Sequence, residues 1–287
     1  MNNYEKAVGT TGTLYLVATP IGNLEDITHR AIRILKEVDL IAAEDTRQTI
    51  KLLNHYDIKR PMMSYHEHNK FEKGNVLVQK LQEGKSIALV SDAGTPGISD
   101  PGEDLVKLAV ENKIPVSMIP GPVAAITGLV LSGLSTSRFV FEGFLPVNKK
   151  QRKERILSFK NETKTVVFYE APHKLVVTLN DLYEGLGDRK ISIARELTKK
   201  FEEITRITLS EAREKYTDLT PKGEFVLIVE GADQEEIDCE EKKKWDELSL
   251  EQHVGYYMDQ GMNKKDAMKK VADDRGLSKR DVYNSLL

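Results

Sequence analysis

Residues 86–112 constrain the fold of this chain more tightly than any other stretch. Ser86-Ile-Ala-Leu-Val90 has the composition of a buried strand, and Glu103 to Asn112 has its apolar residues at helical spacing. Between them, Ser91-Asp-Ala-Gly-Thr-Pro-Gly-Ile-Ser-Asp-Pro-Gly102 carries three glycines and two prolines in twelve residues. Such a loop is neither helix nor strand, because glycine loosens the backbone while proline fixes φ and removes a donor. Strand, special loop and helix together make one step of an α/β fold.

The same step recurs along the first part of the chain. Thr13 to Ala18 predicts a strand stopped by Thr19-Pro-Ile-Gly-Asn23, with a helix over Ile27 to Glu37. Asp39 to Ala43 predicts a second strand, leading through Glu44-Asp-Thr-Arg47 to a helix over Ile50 to His55. Val76 to Gln82 predicts a helix, and Val116 to Ile119 another strand. Each crossover is helix-sized, which implies parallel pairing and ligand binding at the carboxyl ends of the strands. A second α/β unit begins near Pro122. Its small-residue helix is Ala124 to Ser132, and its strand candidates are 139–142, 165–169, 191–194, 204–207 and 224–229. Ala232 to Lys244 reads as a charged linker, and Leu248 to Leu287 carries helix signatures only. The expected division is 12–121, 122–233 and a helical 245–287.

Composition removes several classes. No apolar run approaches the ~20 residues of a membrane-spanning helix, and Met1 to Gly12 lacks a secretory pattern. The single cysteine, Cys239, excludes an internal disulfide framework or a cysteine-rich zinc site and reads as a bystander. Net charge is −3, so any nucleic-acid footprint is local.

Two loops suit a closely approached ligand: Ser91 to Gly102, and Pro120-Gly-Pro-Val-Ala-Ala125, which opens a helix. Neither matches the dinucleotide or phosphate-loop fingerprints, so kinase and dehydrogenase readings are weak. His66-Glu-His-Asn69 looks like a metal site at first, but its histidines are two apart with no third ligand evident, and a hydrogen-bonding cluster is the better reading.

Taken in order, Leu16-Val-Ala-Thr-Pro-Ile-Gly-Asn-Leu24, Ala42-Ala-Glu-Asp-Thr-Arg47, His66-Glu-His-Asn69, the Ser91–Gly102 loop, Pro120-Gly-Pro122, Phe141-Glu-Gly-Phe-Leu-Pro146, Phe168-Tyr-Glu-Ala-Pro-His173, Ala194-Arg-Glu-Leu-Thr-Lys199 and Lys222 to Gly231 are similar to the bacterial 16S rRNA 2′-O-ribose cytidine methyltransferases. These belong to the tetrapyrrole methylase superfamily. The resemblance runs from Gly12 to the C-terminus, with one departure at Lys174, where arginine is usual. It implies a two-domain α/β fold, a parallel sheet followed by a mixed one, with a small helical C-terminal domain. It further implies S-adenosylmethionine as methyl donor in the cleft, a decoding-centre cytidine of 16S rRNA as acceptor, a homodimer and a cytoplasmic location. Carried over residue by residue, the donor contacts are Pro20, Thr95, Ile98, Val123, Ala124, Glu170, Leu197 and Phe225.

Methyl transfer to a ribose hydroxyl needs alignment and removal of a proton. The candidates are Asp45, Glu67, His66, His68, Asp100 and Glu196, which the sequence does not rank. The two clusters that belong to the rRNA-enzyme signature without a donor role put Asp45, Arg47, Glu67 and His68 on the acceptor side. For RNA, Lys149-Lys-Gln-Arg-Lys-Glu-Arg155 holds five cations and one anion, making Lys149, Lys150, Arg152 and Lys153 phosphate contacts or else an ordinary solvated helix start. From Met262 onward there are seven cations and four anions, and a helix-turn-helix-like pattern in which Ser278 caps a helix over Lys279 to Leu286, with Lys279 and Arg280 as candidate RNA contacts. That tail is an RNA-binding element or a packed helical cap. The rival readings are a tetrapyrrole-type small-molecule methylase and a non-catalytic RNA-binding or assembly factor.

Overall fold

The computed structural model describes residues 11–246 and 248–286. The chain divides into two compact units. One holds both sheets and runs to Leu157 and from Lys164 to Glu230; the other comprises Ser158–Thr163 with the chain from Gly231 onward.

Nine elements form the first layer system: β1 (Leu14–Val17), α1 (His29–Glu37), β2 (Leu40–Ala43), α2 (Thr46–His55), β3 (Met62–Ser64), α3 (Lys70–Gln82), β4 (Ile87–Val90), α4 (Gly102–Glu111) and β5 (Val116–Ile119). The sheet order is β3-β2-β4-β1-β5, and every pair is parallel. Helices cover both faces. Ala31, Ile34 and Leu35 of α1 pack with Leu53 of α2 on one side, while Leu77 and Leu81 of α3 pack with Leu105 and Ala109 of α4 on the other. From β1 the chain turns toward the β3 edge, whereas from β4 it turns toward β5. The adjacent strands β1 and β4 therefore form a topological switch point, and their carboxyl ends open a crevice.

The second sheet follows α5 (Ala124–Ser132). It is built from β6 (Phe139–Phe144), α6 (Lys149–Leu157), β7 (Thr165–Glu170), α7 (Leu175–Leu186), β8 (Lys190–Arg195), β9 (Glu203–Thr208), α8 (Leu209–Thr217) and β10 (Phe225–Val229). Its order is β6-β7-β10-β8-β9, with only β6 and β7 parallel. Ala125 and Leu129 of α5 pack on Val167, Ala194, Val226 and Ile228 of this sheet.

The remaining unit holds α9 (Gln234–Asp246), α10 (Leu250–Asp259), α11 (Lys264–Arg275) and α12 (Lys279–Asn284) around Trp245, Val254, Tyr257, Val271 and Val282. Ser249 and Gln252 form the expected capping box, and Ser278 caps α12. Buried His253 stacks on Trp245 at 3.8 Å between ring centres, and its Nδ1 accepts from Arg275 Nε at 3.1 Å. No helix among the described residues is long and apolar enough to cross a membrane.

Several elements differ from the sequence reading. The stretch expected as a linker is α9, whose charged composition conceals a helix. α2 begins at Thr46 rather than Ile50, because Asp45 caps it and its first turn is polar. α3 begins at Lys70 rather than Val76. Gly74 lies buried in the first half of α3, where a Cβ would lie 2.9 Å from Leu108 Cδ1. The short edge strand β3, and helices α7 and α8, have no counterpart in the sequence pattern; Leu175-Val-Val-Thr-Leu179 is β-branched enough to mask α7.

Candidate functional site

The loop after β4 is held by its own acid. Asp100 accepts from Gly97 N–H at 2.9 Å on each oxygen and from Gly102 N–H at 2.7 Å. Gly94 and Gly97 take φ of 80° and 88°, a region that penalises side chains, and Ser99 joins them at 63°. Gly94 exchanges backbone hydrogen bonds with Thr19, at 2.8 and 3.0 Å, so the loops after β1 and β4 are stitched together at the switch point. Thr95 Oγ1 donates to Pro122 O at 3.2 Å, joining them to the start of α5. That helix has no side-chain cap of its own at Val123; Tyr169 Oη, from the end of β7, accepts the Ala125 N–H at 3.2 Å. Gly121 lets Pro120-Gly-Pro122 pass β1, since a Cβ there would meet Ala18 Cβ at 2.9 Å.

These loops and the strand ends of the second sheet enclose a cavity of about 480 Å³. Seven of the eight expected donor contacts line it: Thr95, Ile98, Val123, Ala124, Glu170, Leu197 and Phe225. Pro20 does not; it lines a neighbouring cavity of about 430 Å³, with Thr19, Gly22, Leu24, Gln48, Lys51 and Leu52. Asp92, Ala93 and Glu224 line both.

Among the described residues, the first cavity is lined by five carboxylates, Glu44, Asp92, Asp100, Glu170 and Glu224, and by no basic side chain. Four of the five are engaged: Asp92 Oδ1 accepts from Asp45 N–H at 2.9 Å, Glu224 pairs with Lys199 Nζ at 2.9 Å, and the other two are structural. Asp100 holds its loop, and Glu170 accepts from Ala171 N–H at 2.8 Å and Thr178 Oγ1 at 2.5 Å. Glu44, directly after β2, is different. Its Oε2 accepts only weakly from Asp92 N–H at 3.4 Å. Burial pushes its pKa above the ordinary carboxylate value; the Asp92 N–H opposes this, the charges of Asp92 and Asp100 add to it, and His66 pulls it down. A half-buried carboxylate with a raised pKa in a cleft is suited to take a proton.

The expected acceptor residues do not meet at either cavity. Asp45 caps α2 and is clamped by Arg47, whose guanidinium lies 2.9 Å from Oδ2 and holds the carboxyl below its usual range. Arg47 itself is largely exposed. Glu67 pairs with Lys70 at 2.8 Å, and His68 is an exposed neighbour of His66. Glu44, inside the same motif as Asp45, is the carboxylate that reaches the cavity. Its position at the very end of a fully buried strand was the signal for it. Glu196 is likewise engaged. Burial acts to raise its pKa, but Lys199 Nζ at 2.9 Å and the Glu224 N–H at 3.0 Å outweigh burial and lower it.

The basic segment is also divided. Lys149 and Lys150 are exposed on α6, Lys150 only 3.9 Å from Glu154. Arg152 is buried, its Nε 2.7 Å from buried Asp181, so it is a packing residue and not a phosphate contact. Lys153 pairs with Glu184 at 2.6 Å. Lys279 and Arg280 are exposed on the first turn of α12.

Residues 13–213 match the family model described as Tetrapyrrole (Corrin/Porphyrin) Methylases. The chain is 56% identical over 273 residues to the ribosomal RNA small subunit methyltransferase I of Halalkalibacterium halodurans, covering 95% of this chain and 94% of that one. It is 50% identical to the protein of the same name from Bacillus subtilis, covering 96% and 94%. In fold it is similar to the crystal structure of diphthine synthase, with TM-score 0.60 and 14% identity over 77% of this chain and 90% of that one. It is also similar to uroporphyrin-III C-methyltransferase from Thermus thermophilus complexed with S-adenosylhomocysteine, with TM-score 0.55 and 18% identity over 76% and 97%.

Proposed function

This chain belongs to the tetrapyrrole (corrin/porphyrin) methylase family, among the ribosomal RNA small subunit methyltransferase I proteins, and from that membership we propose that it transfers a methyl group from S-adenosylmethionine to the ribose 2′-hydroxyl of a decoding-centre cytidine in 16S rRNA. The observation that carries the reading is the first cavity, whose lining holds five carboxylates and, among the described residues, no basic side chain; of the five, Glu224 is paired, with Lys199 Nζ at 2.9 Å. Such a lining repels phosphate and attracts a cation. S-adenosylmethionine, when bound, supplies a methyl activated on a sulfonium centre, and its positive charge and apolar body suit Ile98, Val123, Leu197 and Phe225 beside the acids.

The chain's own work is positional and acid–base. The loop pinned by Asp100 and the helix start capped by Tyr169 present backbone groups at fixed places. Glu44 takes the proton of the acceptor hydroxyl on its carboxylate oxygen as the new bond forms. Asp45 sets the entry of α2 and with it the position of Glu44, its neighbour. The RNA is met by Lys149 and Lys150, and on the helical unit by Lys279 and Arg280, all exposed. Action as a homodimer in the cytoplasm, on the small ribosomal subunit, is part of the same reading. Exposed Ile126 and Val130, on one face of α5, offer apolar area for a second copy.

Incubation with labelled donor and, separately, small subunits, naked 16S rRNA and a uroporphyrinogen tests the reading. Label is expected in the RNA of the subunits. Label in the tetrapyrrole alone would replace it with a small-molecule methylase, and label in none would leave a non-catalytic factor.

A further inference from the structure

The second cavity differs chemically from the first. Its about 430 Å³ lies within the size range of small-molecule sites, roughly 300–1,000 Å³. One wall is the shared strip of Asp92, Ala93 and Glu224, so whatever sits in it abuts whatever occupies the first cavity. The other wall is α2, which contributes Gln48, Lys51 and Leu52; Thr19, Pro20, Gly22 and Leu24 close it from the loop after β1. The cation is the informative residue. Lys51 Nζ donates to the neutral Gln48 Oε1 at 2.9 Å, and no ion pair links it to a carboxylate among the described residues. An ammonium bonded to a neutral amide, on the rim of a cavity one step from an anionic one, retains its charge for an anion that arrives from solution.

We infer that this second cavity seats the acceptor nucleotide. Its ribose lies against the Asp92–Ala93 strip and its adjoining phosphate on Lys51, with Leu24 and Leu52 giving the base an apolar surface. The inference rests on the methyl-transfer reading above, and it adds where the acceptor enters. An in-line displacement requires donor and acceptor on opposite sides of the travelling methyl. Two cavities that share a wall meet that demand, and the division of charge assigns them. The cationic donor goes to the pocket of five carboxylates, and the phosphate-bearing acceptor goes to the pocket where Lys51 faces only two, Asp92 and a Glu224 already paired with Lys199 at 2.9 Å. A nucleotide turned out of its stack is the form of RNA that fits such a cavity. The arrangement also explains why Pro20 departs from the donor contacts, since it belongs to the acceptor wall.

Lys51 and Gln48 are both exposed on the surface of α2, so substituting them leaves the core untouched. Lys51→Glu and Gln48→Trp are compared with wild type and Lys51→Arg. Three quantities are measured: calorimetric S-adenosylmethionine affinity, salt-dependent binding to unmethylated small subunits, and single-turnover methylation. Lys51→Glu is expected to weaken subunit binding by about tenfold, the scale of one lost charge-assisted hydrogen bond, and to lower the salt slope by about 1. Gln48→Trp, by filling the cavity, is expected to abolish methylation while donor affinity stays at the wild-type value. Lys51→Arg is expected to retain both binding and slope. Wild-type binding, slope and methylation in both Lys51→Glu and Gln48→Trp would overturn the inference. A Lys51-dependent salt slope in a protein that transfers no methyl would support the subsite while removing the methyltransferase reading, so the two fail separately.

Discussion

Glu44 carries the acid–base argument, and its raised pKa has two consequences that separate function from folding. A base works only when deprotonated, so the acid limb of the turnover–pH profile is expected to be shifted upward from that of an ordinary carboxylate and absent in Glu44→Gln. The folded-state pKa lies above the unfolded one. Its contribution to stability is therefore complete below the unfolded value and lost as pH rises through the folded value. Glu44→Gln should accordingly leave Tm at neutral pH unchanged or raised, while turnover falls by about 10²–10⁴-fold. A fall in Tm with unchanged turnover would make Glu44 structural. Arg152 shows the opposite pattern. Its pair with Asp181 has side chains 11% and 6% exposed, and Arg152→Ala leaves that buried carboxylate with only Lys153 Nζ, at 3.7 Å, at a cost of about 3 kcal/mol. Denaturant unfolding should show that loss, with the salt slope of RNA binding unmoved. Lys149→Ala with Lys150→Ala should do the reverse, leaving stability alone and reducing the slope by about 0.7–0.9 per lost contact.

The loops after β1, β4 and β5 do the positioning, and each depends on backbone that the sequence announces. Gly94 at φ 80° pairs with Thr19, and Thr95 ties the strip to Pro122, so glycine and proline mark the site before any fold is known. Thr95→Arg puts a cation and bulk into a cavity meant for a cationic ligand; calorimetry should show donor binding lost while the circular dichroism spectrum keeps its native form. Alternating strands and helices were legible because buried runs such as Ile87–Val90 and capped amphipathic helices each carry their own period. What stayed hidden was set by distant contacts. Gly74 reads as a break in α3 but stands where a Cβ would crowd Leu108, and β3 exists as an edge strand only because β2 offers it a partner. The acid that reaches the cavity was half legible, since the end of a buried strand marks Glu44-Asp45 but not which of the two faces the cavity. Glu44 and Asp45 are neighbours in sequence, and only the cap of α2 decides that Asp45 turns to the helix while Glu44 faces the cavity.

Across the molecule the charge is divided rather than uniform. A chain of net charge −3 holds one cavity lined with carboxylates, a second with a lysine on its wall, and exposed cations on α6 and α12. A global basic balance is therefore no requirement for an RNA substrate, because phosphate contacts need only local cations. The homodimer in the functional reading predicts that light scattering gives twice the chain mass, and that Val130→Glu on α5 shifts it toward the single-chain mass. The decisive measurement is where the methyl lands. Small subunits purified from cells lacking the relative's activity are incubated with the protein and labelled S-adenosylmethionine, and the rRNA is digested to nucleosides for mass spectrometry. Label is expected in 2′-O-methylcytidine from a single position of 16S rRNA, lost with Glu44→Gln. Label on a base, or undiminished label with Glu44→Gln, would contradict the proposed reaction.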